Sequence, residues 1–299
     1  MSGLLWAVFT IVAAGGQTLR NAMQKELTTT LGTVGATHVR FLYGLPFGLL
    51  FLAIVLFATG SPLPHLNQTM LAWTTVAALA QICATALLLA AMRERSFVVI
   101  TALSKTEPVH VAVFGLAFLG DQLSAGLIVA IMVATTGVVV MSWPRQTADA
   151  SISWSSAALG IGSGAMFAIA AVGFRGGIKA LEADSFVLAA STTLAVGLVI
   201  QTAVLSLYLL ARDREKLIAL FRAWRPSITA GFMGAFASQM WFLAFALESA
   251  AKVRTLALVE ILFAQMISRQ MFKQSIASRE AVGIGLIIVG VVMLLNVSI

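Results

Sequence analysis

The sequence predicts an all-α integral membrane protein: ten transmembrane helices arranged as two inverted five-helix repeats. Three observations predict it. Of 299 residues, 60% are hydrophobic and only 10% charged, with a mean hydropathy of +0.97, where a soluble domain runs at about 45–50% apolar and 25% charged. Twelve acids and nineteen bases cannot coat a soluble protein of this size. The apolar residues fall into ten runs of ~20, the length that crosses a bilayer as a helix. Displacing the chain by 153 residues, about half its length, overlays the second five runs on the first.

Cutting at polar and turn-forming clusters gives the spans in order as Leu4–Thr18, Val39–Ala58, Leu71–Met92, Phe97–Leu119 and Leu123–Trp143. Ala157–Phe174, Phe186–Leu210, Ile228–Leu247, Val253–Phe272 and Ala281–Ser298 follow. The first run is read as a retained helix, because no basic leader or cleavage site precedes it. The longest connector, residues 144–156, carries Pro, Gln, Asp and several Ser and falls near the midpoint. It divides residues 1–143, the first repeat, from 157–299, the second. The other connectors are too short for an extramembrane domain, so function must sit in the helices and their ends.

The 153-residue displacement places Ser96 on Ser249, Leu103 on Leu256, Glu107 on Glu260, Val129 on Val282, Ile131 on Ile284 and Gly137-Val138-Val139 on Gly290-Val291-Val292. The shared glutamates carry most weight, since an acid inside a span is rare. An odd number of spans per half threads the second half upside down, the plan of many secondary transporters. Thirteen bases lie on one side, among them Arg20, Arg93, Arg145, Arg212 and Lys273. Only Arg175, Lys179, Lys252 and Arg254 lie on the side that holds both ends. By the positive-inside rule the thirteen are cytoplasmic. Spread over connectors, these bases do not make a nucleic-acid face.

An ionised side chain in mid-span costs about 2.5–3.5 kcal/mol, so Glu107, Lys105 and Glu260 should face the interior. Glu107, His110 and Phe114 share a helical face, which makes Glu107 with His110 a candidate protonatable pair. Pro108 cannot donate to the carbonyl of Ser104 and should kink the fourth span there. Amides recur at depth, of which Gln17, Gln81 and Gln239 are the strongest substrate candidates beside Gln201 and Gln265. Each could equally bridge two helices. Trp6, Trp73, Trp143, Trp154 and Trp224 sit at span ends and suit an interfacial belt, whereas Trp241 lies deeper and could stack on a ligand. Gly44 with Gly48, Gly160 with Gly164 and Gly173 with Gly177 suit close helix crossings. Cys83 has no partner for a disulfide, and three separated histidines make no metal site. No HExxH, GxSxG, Walker A or GxGxxG pattern occurs, so no catalytic apparatus and no cofactor is expected.

Two motifs carry a family resemblance over essentially the whole chain. His38-Val39-Arg40-Phe41-Leu42-Tyr43-Gly44, and Ser104-Lys105-Thr106-Glu107-Pro108-Val109 followed by Gly120-Asp121, resemble the drug/metabolite transporter superfamily, in particular its EamA-type members. Asp121 stands where that family usually has glutamate. The second half departs, with no proline after Glu260, Lys273-Gln274 in place of Gly-Glu, and no arginine matching Arg40. The resemblance implies a carrier of small metabolites, often an exporter of amino acids, with a central cavity between the halves. Relatives of this kind generally keep both termini in the cytoplasm, opposite to the charge count.

The expectation is therefore an alternating-access carrier in a cell membrane, a bacterial inner membrane, as monomer or homodimer. Its partners are a small polar or amphipathic substrate, lipid and optionally a coupling proton. Gln17, Arg40, Gln81, Ser104, Glu107, His110, Gln239, Trp241 and Glu260 form the expected site. A membrane-embedded enzyme acting on lipid or isoprenoid would need clustered acids or histidines. A channel would need a wide polar lining.

Overall fold

The computed structural model describes residues 4–94, 104–142, 154–263 and 278–297, and all regular structure among them is helical. Eleven helices follow in order: α1 (Leu5–Leu42), α2 (Leu45–Thr59), α3 (Gln68–Glu94), α4 (Glu107–Leu119), α5 (Ala125–Ser142), α6 (Trp154–Ala180), α7 (Phe186–Arg212), α8 (Arg214–Arg222), α9 (Trp224–Leu247), α10 (Ala250–Leu256) and α11 (Ser278–Val297). Six stretches are long and apolar enough to cross a membrane, namely Leu27–Thr59 and parts or all of α3, α6, α7, α9 and α11. Glu107–Leu119 and Ala125–Met141 are apolar but shorter. Trp143, Gln265 and most of the midpoint connector lie outside the described residues.

The predicted connector between the first two spans is a correction. Residues 19–38 are helical, and α1 carries the chain from the first apolar run into the start of the second, ending at Leu42. It breaks only at Gly32, whose φ of 68° and ψ of 179° lie where glycine alone avoids a Cβ penalty. The prediction cut here because the segment is polar, but tertiary bonds satisfy those groups. Gln24 Nε2 donates across the kink to the Ala36 carbonyl (2.7 Å), and His38 Nε2 meets Ser206 Oγ on α7 (2.9 Å). Pro46 fits the first turn of α2, which ends at Gly60 with φ 65°.

A second correction concerns residues 211–227, read as a connector. They hold α8, whose Asp213 side chain caps the Lys216 amide (3.1 Å). Its Leu220 is buried against Leu27, Leu31 and Leu209, and Tyr43 donates a hydrogen bond to the Leu220 carbonyl (2.8 Å). The tryptophan belt is also only partly present: Trp224 is half exposed, but Trp6 is 2% exposed and packs in the bundle.

Packing organises the helices in pairs: α1 lies along α9, α3 along α6, and α5 along α11. The α5–α11 crossing brings backbones together, since a Cβ on Gly137 would stand 2.7 Å from the Gly283 carbonyl oxygen. Close small-residue contacts of this kind drive helix association in lipid, where apolar burial gives no net attraction. The outward faces stay apolar, as at Phe57, 92% exposed. Polar residues turn inward.

Candidate functional site

Two helices are interrupted at the depth of the shared glutamates. In the fourth span the chain turns at Lys105–Thr106 before α4 begins at Glu107, with Pro108 in the first turn. The expected distortion at Pro108 is thus a break, and it is packed in place. A Cβ on Gly164 of α6 would lie 2.8 Å from the Ser104 carbonyl oxygen, so α6 supports the turn by backbone contact. In the ninth span α10 ends at Leu256 and turns at Ala257–Leu258. Leu258, Glu260 and Ile261 there donate three residues back to Thr255 (3.1 Å), Ala257 (3.0 Å) and Leu258 (3.1 Å). Interrupted spans at mid-membrane present free backbone ends to polar groups.

The glutamates are neutralised across the two spans. Both Nε and Nη2 of Arg254, on α10, reach Oε1 of Glu107. Conversely, Lys105 Nζ meets Glu260 Oε2 at 2.7 Å. Glu260 also accepts from Gln17 Nε2 (2.9 Å) and Asn21 Nδ2 (3.2 Å), both on α1. Gln17 Oε1 in turn accepts from Trp241 Nε1 (3.2 Å), and the Arg254 guanidinium lies 4.8 Å from the centre of the Trp241 ring. One polar chain therefore links α1, α4, α9, α10 and the turn after α10. All its charged members are buried or nearly so, where a missing partner is expensive.

A narrow cavity adjoins this network, with about 30 Å³ open to the centre of a water molecule. Gln17, Arg40, Gln81, Ser238 and Arg254 supply its polar wall, and Phe167, Phe174, Trp241, Phe242 and Phe245 its aromatic wall. That space holds one or two waters, far below the roughly 300 Å³ of a small-ligand pocket.

The predicted residues divide accordingly. Gln17, Arg40, Gln81 and Trp241 meet at the cavity. Glu107 and Glu260 sit one contact behind it, through Arg254 and Gln17. Gln81 Oε1 accepts from Gln201 Nε2 (2.7 Å), and Arg40 Nη2 reaches Ser238 Oγ at 3.4 Å. The Trp241 ring is already covered by Arg254 and lies beside Phe245. Gln239 bonds Ser191 (2.9 Å), away from the cavity lining. His110 donates through Nδ1 to the Thr106 carbonyl (3.1 Å) while Glu107 turns to Arg254, so these two do not form the expected pair. Ser104 is buried and serves through its carbonyl.

Sequence reasoning missed Arg254, Asn21, Arg20 and Ser238. Arg254 and Arg20 were counted among the connector charges, though each lies within an otherwise apolar neighbourhood of a buried glutamate or amide. A base six residues before Glu260 was the available signal.

At the far end of α4, Gly120 (φ 65°) stops the helix and Asp121 meets Arg175 Nη1 at 2.6 Å. Arg175 Nε also donates to the Glu248 carbonyl (3.0 Å), and Lys252 Nζ lies 3.2 Å from Glu248 Oε2. These contacts join α4, α6, α9 and α10 at one mouth of the bundle.

Residues 1–143 match the sequence profile of the EamA-like transporter family. The first half of this chain is an EamA-like transporter domain. The EamA-like family is one of membrane transporters within the drug/metabolite transporter superfamily and is not enzymatic. A solved crystal structure, described only as that of a protein, shares the fold of the whole chain: TM-score 0.70 and 12% identity over 98% of this chain and 94% of its own. No curated protein matches the sequence.

Proposed function

We propose that this EamA-like protein is a secondary active carrier that works by alternating access and exports a small polar or amphipathic metabolite, such as an amino acid. The observation that carries the reading is Gln17. From the first half of the chain it bonds at once to Glu260 and Trp241 of the second, beside two interrupted spans and a cavity too small for a metabolite. Binding then requires the halves to part, and the network that must break is the one that would sense the substrate. The Asp121–Arg175–Glu248 contacts close one mouth, as a carrier closed on that side requires.

Helix pairing supports the inverted repeat. Under the 153-residue displacement the α1–α9 pair exchanges with α3–α6, and α5–α11 maps onto itself. Orientation follows the charges: with Arg20 and Arg254 turned inward, the bias becomes twelve bases against three, still placing the richer face in the cytoplasm. Glu260 is the coupling-proton candidate. Protonation would release Lys105, Gln17 and Asn21 together.

The experiment is counterflow into vesicles holding the purified protein, screened against amino acids and related metabolites with and without a pH gradient. Saturable uptake, lost in Glu107→Gln, is expected. Single-channel currents, or a Glu107→Gln variant with unchanged transport and unchanged pH dependence, would refute this mechanism.

A further inference from the structure

Charge around the cavity does not balance. Lys105 answers Glu260 and Arg254 answers Glu107, leaving Arg20 and Arg40. Each is 5% exposed, and neither has a carboxylate within 4.0 Å among the described residues. Arg20 spends Nη2 on Asn21 Oδ1 (2.7 Å), while its Nε and Nη1 are buried with no hydrogen-bond partner. Arg40, which lines the cavity, makes the 3.4 Å contact with Ser238. Arg20 and Arg254 both repel the Arg40 guanidinium, while Arg20 is drawn by Glu260, already paired with Lys105, more than Arg254 repels it.

The two stems are brought side by side by α9. A Cβ at Gly234 would stand 3.2 Å from Arg40 Cγ and 3.4 Å from Arg20 Cδ, so a residue without a side chain lets both pass. Two buried guanidinium groups on neighbouring stems, short of hydrogen-bond acceptors, are held against desolvation and mutual repulsion. What relieves both is an oxyanion, since guanidinium presents paired donors that match carboxylate or phosphate.

We propose that the site is built for a small organic anion of net negative charge, its oxyanion held by Arg20 and Arg40 and its apolar body against the aromatic wall. A net-neutral zwitterion would leave the charge excess standing and, if its ammonium approached, would add to it. The inference rests on the carrier reading for what happens after binding, but not for binding itself. It narrows the substrate class to 2-oxo acids, dicarboxylates, phosphate monoesters and similar anions.

The test uses the full-length protein purified in detergent and four probes that share one phenyl group: phenylalanine, phenylpyruvate, phenylsuccinate and phenyl phosphate. Thermal midpoint and calorimetric titration are read. The anions should raise the midpoint and bind at least about tenfold more tightly than phenylalanine, the difference one charge-assisted hydrogen bond makes. Comparing the last two probes distinguishes carboxylate from phosphate recognition. Arg40→Gln and Arg20→Gln should abolish the preference, and ligand-free Arg40→Gln should melt higher than wild type because the cation repelled by both Arg20 and Arg254 is gone. A variant that fails to fold leaves the wild-type series to decide. Phenylalanine binding as tightly as the anions, or no binding by any anion, overturns the proposal. Anion binding without vesicle transport would instead refute the carrier reading and leave the anion site standing.

Discussion

A buried charge is tolerated here only through its partner, and the partners come from far along the chain. Arg254 with Glu107 and Lys105 with Glu260 are separated by 147 and 155 residues. Removing one member strands the other, at a cost of about 3–5 kcal/mol for a buried pair. Arg254→Met should therefore lower the thermal midpoint sharply. Combining it with Glu107→Gln should recover most of the loss, a coupling read from a double-mutant cycle. The Glu107→Gln variant alone should melt closer to wild type, because its neutral amide can still accept a bond from Arg254. Equal losses in Arg254→Met and the double variant would show that the arginine stabilises through packing instead. Glu260 has several donors, so single losses of Gln17 or Asn21 should each be milder than loss of Lys105.

Breaks and crossings matter at the scale of the element. The turn at Lys105–Thr106 needs the backbone of Gly164 against it, and the α5–α11 pair needs Gly137 and Gly283. A side chain at Gly283 would meet Met141 Cβ at 2.5 Å and the Gly137 carbonyl oxygen at 2.6 Å. Gly283→Leu should cost about 1–3 kcal/mol of overpacking, seen as a lower midpoint and earlier proteolysis of α11. On α8, hydrogen bonds from Lys216 and their mutual attraction hold the Asp213 carboxyl below its ordinary value of 3.8. A carboxylate with a lowered folded pKa adds stability above its unfolded value and loses it as pH falls through the folded one. Protection of the α8 amides, taken relative to their intrinsic exchange rates, should be highest at neutral pH and fall below about pH 4, while Asp213→Ala shows the low protection at every pH. Pro108 was legible as a distortion because its chemistry is local, whereas the turn at Tyr43–Gly44 inside the run read as Val39–Ala58 was not. Nor was the helix through residues 19–38, since its polar residues looked like a loop until Ser206 of α7, Glu260 and the backbone of α1 itself satisfied them.

Opening of the bundle is the whole-molecule question. With α4, α6, α9 and α10 held at one mouth by Asp121, Arg175 and Glu248, weakening that contact should shift the population toward the state open there. Cys83 is the sole cysteine, so Cys83→Ser gives a clean background. In it, a probe introduced as Ser249→Cys should label severalfold faster when Asp121→Asn is added. Unchanged labelling would mean that the ion pair does not govern this mouth. An anionic substrate should oppose the effect if it favours the closed form.

Composition and run length determined that this chain lives in lipid and that Glu107 and Glu260 must be sheltered. These follow from hydropathy, which is read one helix at a time. Pairing could not be read that way. Hydropathy records the medium a residue needs and carries nothing about which neighbour meets it. The fold alone decided that Arg254 meets Glu107 and Lys105 meets Glu260, that Arg20 and Arg40 make no ion pair among the described residues, and that Gly234 brings those two together.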